Sequence, residues 1–183
     1  CLVGSEMCIR DSIKDNFTHS MILQYFKKKE NKEQIIATKQ YKQIICESNI
    51  FLNDNNFFIT KDYKTSFEIV SIFLIMFIRI NLLKENKKKY LKVNDELISL
   101  FIADLDETLR EKGIGDISIG KYVKSYVKKF YFRISKFPNN NNLYNNDSFI
   151  KYLNVTNLFK NDDYINVSRK FNDKFDYFIN SIN

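Results

Sequence analysis

Apolar residues recur at helical spacing along most of the chain. The clearest example is a series at intervals of four, formed by Leu97, Phe101, Leu105 and Leu109. This spacing brings the four side chains to one side of a helix, where they can face a core. It predicts a helix at about 92–112, and similar spacing predicts helices at about 36–48 and 117–137.

One segment is apolar on every side. Within residues 63–83, the positions from Ile69 to Ile78 include only one polar residue, Ser71. A membrane-spanning helix needs about 20 predominantly apolar residues, so the shorter run favours a helix in the centre of a protein core. We therefore predict a helix at about 64–83 that the other helices surround.

Turn-forming residues are few and clustered. Apart from Gly4, every glycine lies between residues 113 and 120, and Pro138 is the only proline. This scarcity favours long helices joined by a few loops over a sheet of three or more strands. Two shorter helices are expected after a polar loop at 139–147 that has nothing to bury. The sequence thus predicts an all-α fold, a single-domain helical bundle around a central apolar helix.

The glycine cluster lies between two predicted helices and indicates a helix hairpin. Gly113 comes directly after the first helix, where a residue in the left-handed conformation commonly closes the last turn. Gly115 continues the turn, and Asp116 or Ser118 can cap the second helix. Gly113, Gly115 and Asp116 are therefore predicted to form a structural turn.

The hairpin is expected to join an acidic helix to a basic one. An antiparallel return would place Lys121 near Glu107 and Lys124 near Asp104. Ion pairs between exposed side chains contribute only about 0–1 kcal/mol each. The predicted pairs would therefore set the register of the hairpin more than its stability.

The ends and the cysteines limit what the chain can contain. Residues 1–12, CLVGSEMCIRDS, resemble the translation of a transposase sequencing adapter and are expected to be non-native. The expected protein is then a single domain of residues 13–183, long enough for one core. Its one cysteine, Cys46, and one histidine, His19, are too few for a disulfide framework or a zinc site built on these residues. No metal or cofactor is expected.

The charge of the chain is basic, with a net value of +7 that comes mostly from lysine. A basic protein can bind nucleic acid or an anionic membrane. Here, however, the lysine accompanies many Asn, Ile, Phe and Tyr residues, which is typical of an AT-rich genome, and arginine is not clustered. No specific DNA site is expected, and a basic helical protein that binds nucleic acid or the ribosome is kept as an alternative.

A short acidic motif near the hairpin is typical of an enzyme. Asp104, Asp106 and Thr108 follow an apolar run and resemble the D-x-D-x-T motif of haloacid-dehalogenase-like phosphatases. The two aspartates would then act as nucleophile and acid/base. That motif ends a buried strand, whereas the helical spacing here continues to Leu109. The phosphatase is therefore kept as an alternative, and no catalytic residue is assigned.

A second motif, from Gly115 to Lys121, has the glycines and the lysine of a phosphate-binding loop. Tyr122 stands where such a loop needs Ser or Thr to hold magnesium, and a predicted helix precedes it instead of a strand. The sequence does not support a nucleotide site.

The segment from Asp104 to Asp116 resembles the ubiquinol-cytochrome c chaperone family, mitochondrial and bacterial assembly factors for respiratory complex III. It meets the family pattern D-[LM]-D-x-x-[LM]-R-E-x-G-[VI]-G-D in full. The resemblance continues into a lysine-rich helix and an F-Y-G-R element, in which Phe132 replaces the glycine. Ser66 stands where the family often has arginine, and the resemblance spans about 37–137.

The resemblance implies an all-helical protein, without catalysis, that binds newly made cytochrome b and helps complex III to assemble. It implies a place at the inner face of the energy-transducing membrane without a span across it, which is the cytoplasmic side in a bacterium and the matrix side in a mitochondrion. The ribosome and the anionic membrane surface are further expected partners. The candidate partner-binding residues are Asp104, Asp106, Arg110, Lys121, Lys124, Tyr131 and Arg133. Tyr131 and Arg133 come first, because exposed aromatic and arginine side chains dominate interface energetics.

Overall fold

The computed structural model describes residues 31–54, 57–138, 142–144, 146–160 and 164–182. These residues form six helices: α1 Lys32–Asp54, α2 Tyr63–Leu83, α3 Lys87–Glu111, α4 Asp116–Lys136, α5 Asp147–Thr156 and α6 Tyr164–Ile182. Within the described ranges the only β contact is an isolated antiparallel bridge between Phe58 and Phe159. The predicted all-α fold is confirmed. The adapter-like residues 1–12 lie outside the described ranges.

Side-chain caps determine where two of the helices begin. Asp62 accepts a hydrogen bond from the Thr65 amide (2.9 Å) at the start of α2. Asn86 accepts one from the Lys89 amide (3.1 Å) at the start of α3. Such caps satisfy amides that the first turn of a helix leaves unpaired. α3 begins earlier than the predicted residue 92, because its cap precedes a lysine run that carries no apolar stripe.

α2 lies at the centre of the bundle. Its residues from Ser71 to Phe77 are all buried. Phe73 and Phe77 pack against Phe178 of α6, with ring centroids 5.6 and 4.8 Å apart. Among the described helices α2 alone is long and apolar enough to cross a membrane, and 67% of that apolar window is buried inside the protein. This position agrees with the predicted core helix.

The apolar stripe of α3 faces the core as predicted. Four residues, each at most 4% exposed, form it: Leu97, Phe101, Leu105 and Leu109. The Phe101 ring lies 5.9 Å from that of Phe67 in α2 and 4.9 Å from that of Phe130 in α4, between centroids. Through Phe101, α3 therefore packs against both the central helix and α4.

The last two helices close the core with aromatic side chains. Phe171 of α6 lies among the rings of Phe51, Phe73 and Phe149. The loop before α5, predicted to bury nothing, contributes Leu143, which is fully buried. The Leu143 amide donates to Asn172 Oδ1 (2.9 Å). A single apolar residue has no periodicity, so the sequence pattern does not reveal it.

Three amide side chains join α1, α2 and α3 inside the bundle. Asn81 of α2 donates to Gln40 of α1 (2.9 Å) and to Asn94 of α3 (2.7 Å), and Gln40 donates back to Asn81 (2.9 Å). Asn94 donates in turn to the Ile78 carbonyl (3.2 Å). Buried polar groups are costly unless they are paired in this way. The network therefore favours one relative position of the three helices.

Candidate functional site

The turn between α3 and α4 has the predicted conformation. Gly113 has a φ of 81°. Its amide donates to the Arg110 carbonyl (2.8 Å), and the Ile114 amide donates to the Leu109 carbonyl (3.2 Å). These two bonds form the Schellman pattern, in which a left-handed residue closes a helix.

Asp116 has a different role from the predicted one. The N-cap position of α4 is Gly115, which has no side chain to accept a bond, and the Ser118 hydroxyl donates to the Gly115 carbonyl (3.0 Å). The predicted side-chain cap is therefore wrong. Asp116 instead accepts a bond from the Arg110 guanidinium, which also contacts Asp106 (2.6 Å). Arg110 thus joins the two sides of the turn.

The predicted ion pairs across the hairpin are not formed. Within the described residues, neither Lys121 nor Lys124 lies within ion-pairing distance of a carboxylate. Asp104, the expected partner of Lys124, is half-buried and accepts a hydrogen bond from the Tyr41 hydroxyl of α1 (2.9 Å). The prediction was wrong because it placed Asp104 on a solvated face, whereas that side of α3 packs against α1.

An open cleft of about 340 Å³ lies beside Asp104, between the start of α2 and the second half of α3. Its apolar wall consists of Phe67, Val70, Phe101 and Leu105. Polar side chains surround this wall: Lys61, Asp62, Tyr63, Ser66, Asp104, Thr108 and Lys112. The volume is near the lower end of the range for ligand pockets, about 300–1,000 Å³. It suits one or two side chains of a partner.

Two tyrosine hydroxyls beside the cleft are shielded from water. Burial, and then the Asp104 carboxylate, raise the pKa of Tyr41 above its ordinary value. Burial, followed by Tyr126 and Asp104, raises the pKa of Tyr63 to about 12. The Tyr63 hydroxyl has no hydrogen-bond partner among the described residues, although the Lys112 ammonium lies 4.7 Å from the centre of its ring. Buried hydroxyls are usually paired, so a group bound in the cleft can supply the missing partner.

A buried ion cluster joins α2 to α4. Glu68 is fully buried, and its carboxylate accepts two bonds of 2.9 Å from the Arg133 guanidinium. The Lys129 ammonium lies 2.6 Å from the same carboxylate. Arg133 is itself only 6% exposed. The prediction of Arg133 as a surface residue is therefore wrong, because its partner Glu68, 65 positions away in the sequence, lies inside the core.

The sequence did contain a signal for this cluster. Glu68 is the only acidic residue of α2, and an acid on a buried helix needs a cation from another element. The pattern does not say which cation, since α4 offers several. Tyr41 and Tyr63 gave no comparable signal, because tyrosine is common throughout this chain.

The outer side of α4 carries exposed basic and apolar residues. We call it the lysine face, and it consists of Ile117, Lys121, Lys124, Lys128, Tyr131 and Phe132. Each lies three or four residues from another member of the set, which places them on one side of the helix. Three of the predicted partner-binding residues, Lys121, Lys124 and Tyr131, lie here. The other exposed or half-buried ones, Asp104, Asp106 and Arg110, lie at the cleft and the turn.

The enzyme motifs do not have the structural context that their chemistry needs. Asp104 and Asp106 lie inside α3 rather than at the end of a strand. Gly115 precedes α4 and Lys121 lies within it, again without a preceding strand. Among the described residues, no group of three or more His, Cys, Asp and Glu side chains could hold a metal ion.

Fold and surface together define an all-α protein whose candidate site is a binding cleft. Residues 55–139 match the family model described as Ubiquinol-cytochrome C chaperone. The resemblance predicted from the sequence is confirmed over the segment that contains α2, α3 and α4. A chaperone implies a client protein as its partner.

The extent of the match differs from the expected one. It begins at residue 55 rather than near residue 37, so α1 lies outside it, as do α5 and α6. Comparison with curated proteins and with solved structures gave no match.

Proposed function

We propose that this protein is an assembly chaperone for ubiquinol-cytochrome c reductase, respiratory complex III, and that its client is newly made cytochrome b. The observation that carries the proposal is the family match over residues 55–139. All eleven residues that line the cleft, from Lys61 to Lys112, lie within this segment. The cleft is therefore the candidate client site.

The chemistry of the cleft suits an apolar client segment with a polar side-chain end. A membrane protein that is not yet assembled leaves apolar side chains to be shielded. Among the apolar residues that line the cleft, the half-buried Val70 is the most accessible to such side chains, and Phe67 and Phe101 lie behind it. At its edge, the Tyr63 hydroxyl and the Asp104 carboxylate can bond the polar end of a client tyrosine or tryptophan. Each large apolar side chain that becomes fully buried contributes about 1.5–3 kcal/mol.

The proposed place of action is the inner face of the energy-transducing membrane, on the cytoplasmic side in a bacterium or the matrix side in a mitochondrion. The ribosome that makes cytochrome b is a further proposed partner. The net charge of +7 supports contact with anionic surfaces of this kind.

Complementation tests the assembly role. The chain is expressed in a host whose own member of the family has been deleted, and cytochrome b is followed by its haem difference spectrum together with complex III activity. We expect both to be restored. Restoration of neither, with the protein present and folded, would count against the role. So would a phosphatase activity that Asp104→Asn abolishes while cytochrome b is unaffected.

A matched pair of substitutions tests the cleft. Ser66 of α2 lines the cleft, whereas Ser99 of α3 is exposed and lies outside it. Ser66→Trp fills the open space and is expected to lower cytochrome b in the complemented host, while Ser99→Trp leaves it unchanged. A photo-crosslinking residue at position 66, but not at position 99, should capture newly made cytochrome b. Equal capture from both positions contradicts the cleft as client site.

A further inference from the structure

The lysine face has no neutralising charge of its own. Between Ile117 and Lys136 the sequence contains no acidic residue. Two of the cations in this segment, Lys129 and Arg133, contact Glu68 on the inner side of α4. Lys121, Lys124 and Lys128 are exposed and form no ion pair within the described residues. Their positive charges are therefore available to a binding partner.

Large apolar side chains lie at both ends of the same face. Ile117 at the start of α4 is completely exposed, and Tyr131 and Phe132 near its end are each 51% exposed. The Lys136 ammonium lies 5.6 Å from the centre of the Phe132 ring. Helices that lie in the interface of a membrane combine lysine with aromatic and other apolar side chains.

We propose that the lysine face binds the surface of an anionic lipid bilayer, with α4 parallel to the membrane plane. The lysines would contact lipid phosphates and carboxylates, while Ile117, Tyr131 and Phe132 enter the boundary between headgroups and acyl chains. A lipid surface fits better than nucleic acid, for which arginine supplies the planar bidentate contacts. Arg110 at the turn and Arg133 within α4 are already bonded to carboxylates of the protein.

This surface is separate from the cleft. None of its residues lines the cleft, so lipid binding and client binding can be tested, and can fail, independently. The proposal adds to the chaperone function a way to hold the protein at the membrane without a span across it.

Sedimentation with vesicles tests the proposal on the full chain. Vesicles of phosphatidylcholine alone are compared with vesicles that also contain phosphatidylglycerol, at low and high salt. We expect binding only to the anionic vesicles, and weaker binding at high salt because salt screens exposed charges. Equal binding to both kinds of vesicle, or binding to neither, overturns the proposal.

Two triple variants with the same loss of charge locate the contact. The first variant, Lys121→Gln/Lys124→Gln/Lys128→Gln, removes the three lysines of the lysine face. The second, Lys87→Gln/Lys88→Gln/Lys92→Gln, removes three exposed lysines of α3. A lysine held near an anionic surface contributes about fivefold in affinity, from about 1 kcal/mol each, so the first variant should bind roughly a hundredfold more weakly. The α3 variant should lose less than about fivefold. Equal losses mean that net charge alone acts, which overturns the proposal.

The apolar part of the face has its own test. Tyr131→Ser/Phe132→Ser should weaken vesicle binding at high salt as well, since burial of apolar surface is not screened. Circular dichroism melts show whether each variant is folded. Binding of a single-stranded RNA is measured for comparison. If the α4 triple variant loses RNA binding but keeps its vesicle binding, the face binds nucleic acid and the lipid surface is rejected.

Discussion

Glu68 and Arg133 form the most deeply buried charged pair that the described residues contain, with side-chain exposures of 0% and 8%. Removing water from two charges costs several kcal/mol per ion, and their attraction and hydrogen bonds offset this cost only while both partners are present. Lys129, whose side chain is 32% exposed, can turn to solvent if its partner is lost. Arg133 cannot do so without moving α4.

Arg133→Met is therefore expected to destabilise the protein strongly, because it leaves the Glu68 carboxylate buried with only Lys129 beside it. The expected loss in the free energy of unfolding is about 3–5 kcal/mol. Glu68→Leu/Arg133→Met, which removes both charges, should recover most of this loss. Urea unfolding of the three proteins measures the difference, and a double variant no more stable than the single one would contradict the assignment.

The tyrosines beside the cleft predict a loss of stability in alkali. The pKa of Tyr41 and that of Tyr63 are raised in the folded state from 10.0, to about 12 for Tyr63. As the pH rises, the unfolded chain therefore releases these protons before the folded protein does. The contribution of the two tyrosines to the free energy of unfolding is fully present below about pH 10 and is lost as the pH rises through their pKa values in the folded state. Tyr41→Phe should make this fall shallower. Urea midpoints measured from about pH 8 to about pH 11 check the prediction.

At the scale of elements, the turn between α3 and α4 depends on the conformation of one glycine. A Cβ added at Gly113 would meet nothing within 4 Å, so an alanine there has room. The cost arises from the backbone alone, since a φ of 81° is unfavourable for any residue with a side chain. Gly120, inside α4, has equal room but ordinary helical geometry.

Alanine should therefore have opposite effects at the two glycines. Gly113→Ala is expected to lower the free energy of unfolding by about 1 kcal/mol. Gly120→Ala is expected to raise it by up to about 1 kcal/mol, because alanine favours a helix interior. Phe101→Ala, a truncation in the core, should cost about 3–5 kcal/mol. Thermal melts rank the three, and equal shifts for Gly113→Ala and Phe101→Ala would contradict the role of the turn.

The helices could be predicted from the sequence because the residue patterns that specify them are local. The stripe from Leu97 to Leu109 and the closing glycine at 113 are both patterns within one or two turns of chain. The tertiary contacts of the site are not local: Tyr41 meets Asp104 across 63 positions, and Glu68 meets Arg133 across 65. Periodicity says which side of a helix is buried, but not which helix covers it. The errors at Asp104 and Arg133 follow from this difference.

At the scale of the whole molecule, α5 and α6 lie outside the family match but share the core of the matched segment. Phe178 of α6 packs against Phe73 and Phe77 of α2, and Lys174 forms an ion pair with Glu47 of α1 (2.7 Å). Shared burial of this kind makes the stability of one part depend on the other.

We therefore predict that the six described helices unfold as a single cooperative unit. Far-ultraviolet circular dichroism, which follows all helices, and tyrosine fluorescence should give coincident urea transitions. Phe178→Ala in α6 should shift both transitions together, by about 3–5 kcal/mol. Two separate transitions, with only the weaker one sensitive to Phe178→Ala, would mean that α5 and α6 form a unit of their own.

The contact between the last helix and the first described one also has a consequence for biosynthesis. Glu47 and Lys174 are 127 positions apart, and at about 5–20 residues per second the ribosome needs roughly 6–25 s to make the chain between them. During that time Phe51, whose ring later lies 4.6 Å from that of Phe171, has no α6 to cover it. A ribosome that stalls before α6 therefore leaves an aromatic surface of the nascent chain open to other proteins in the cell.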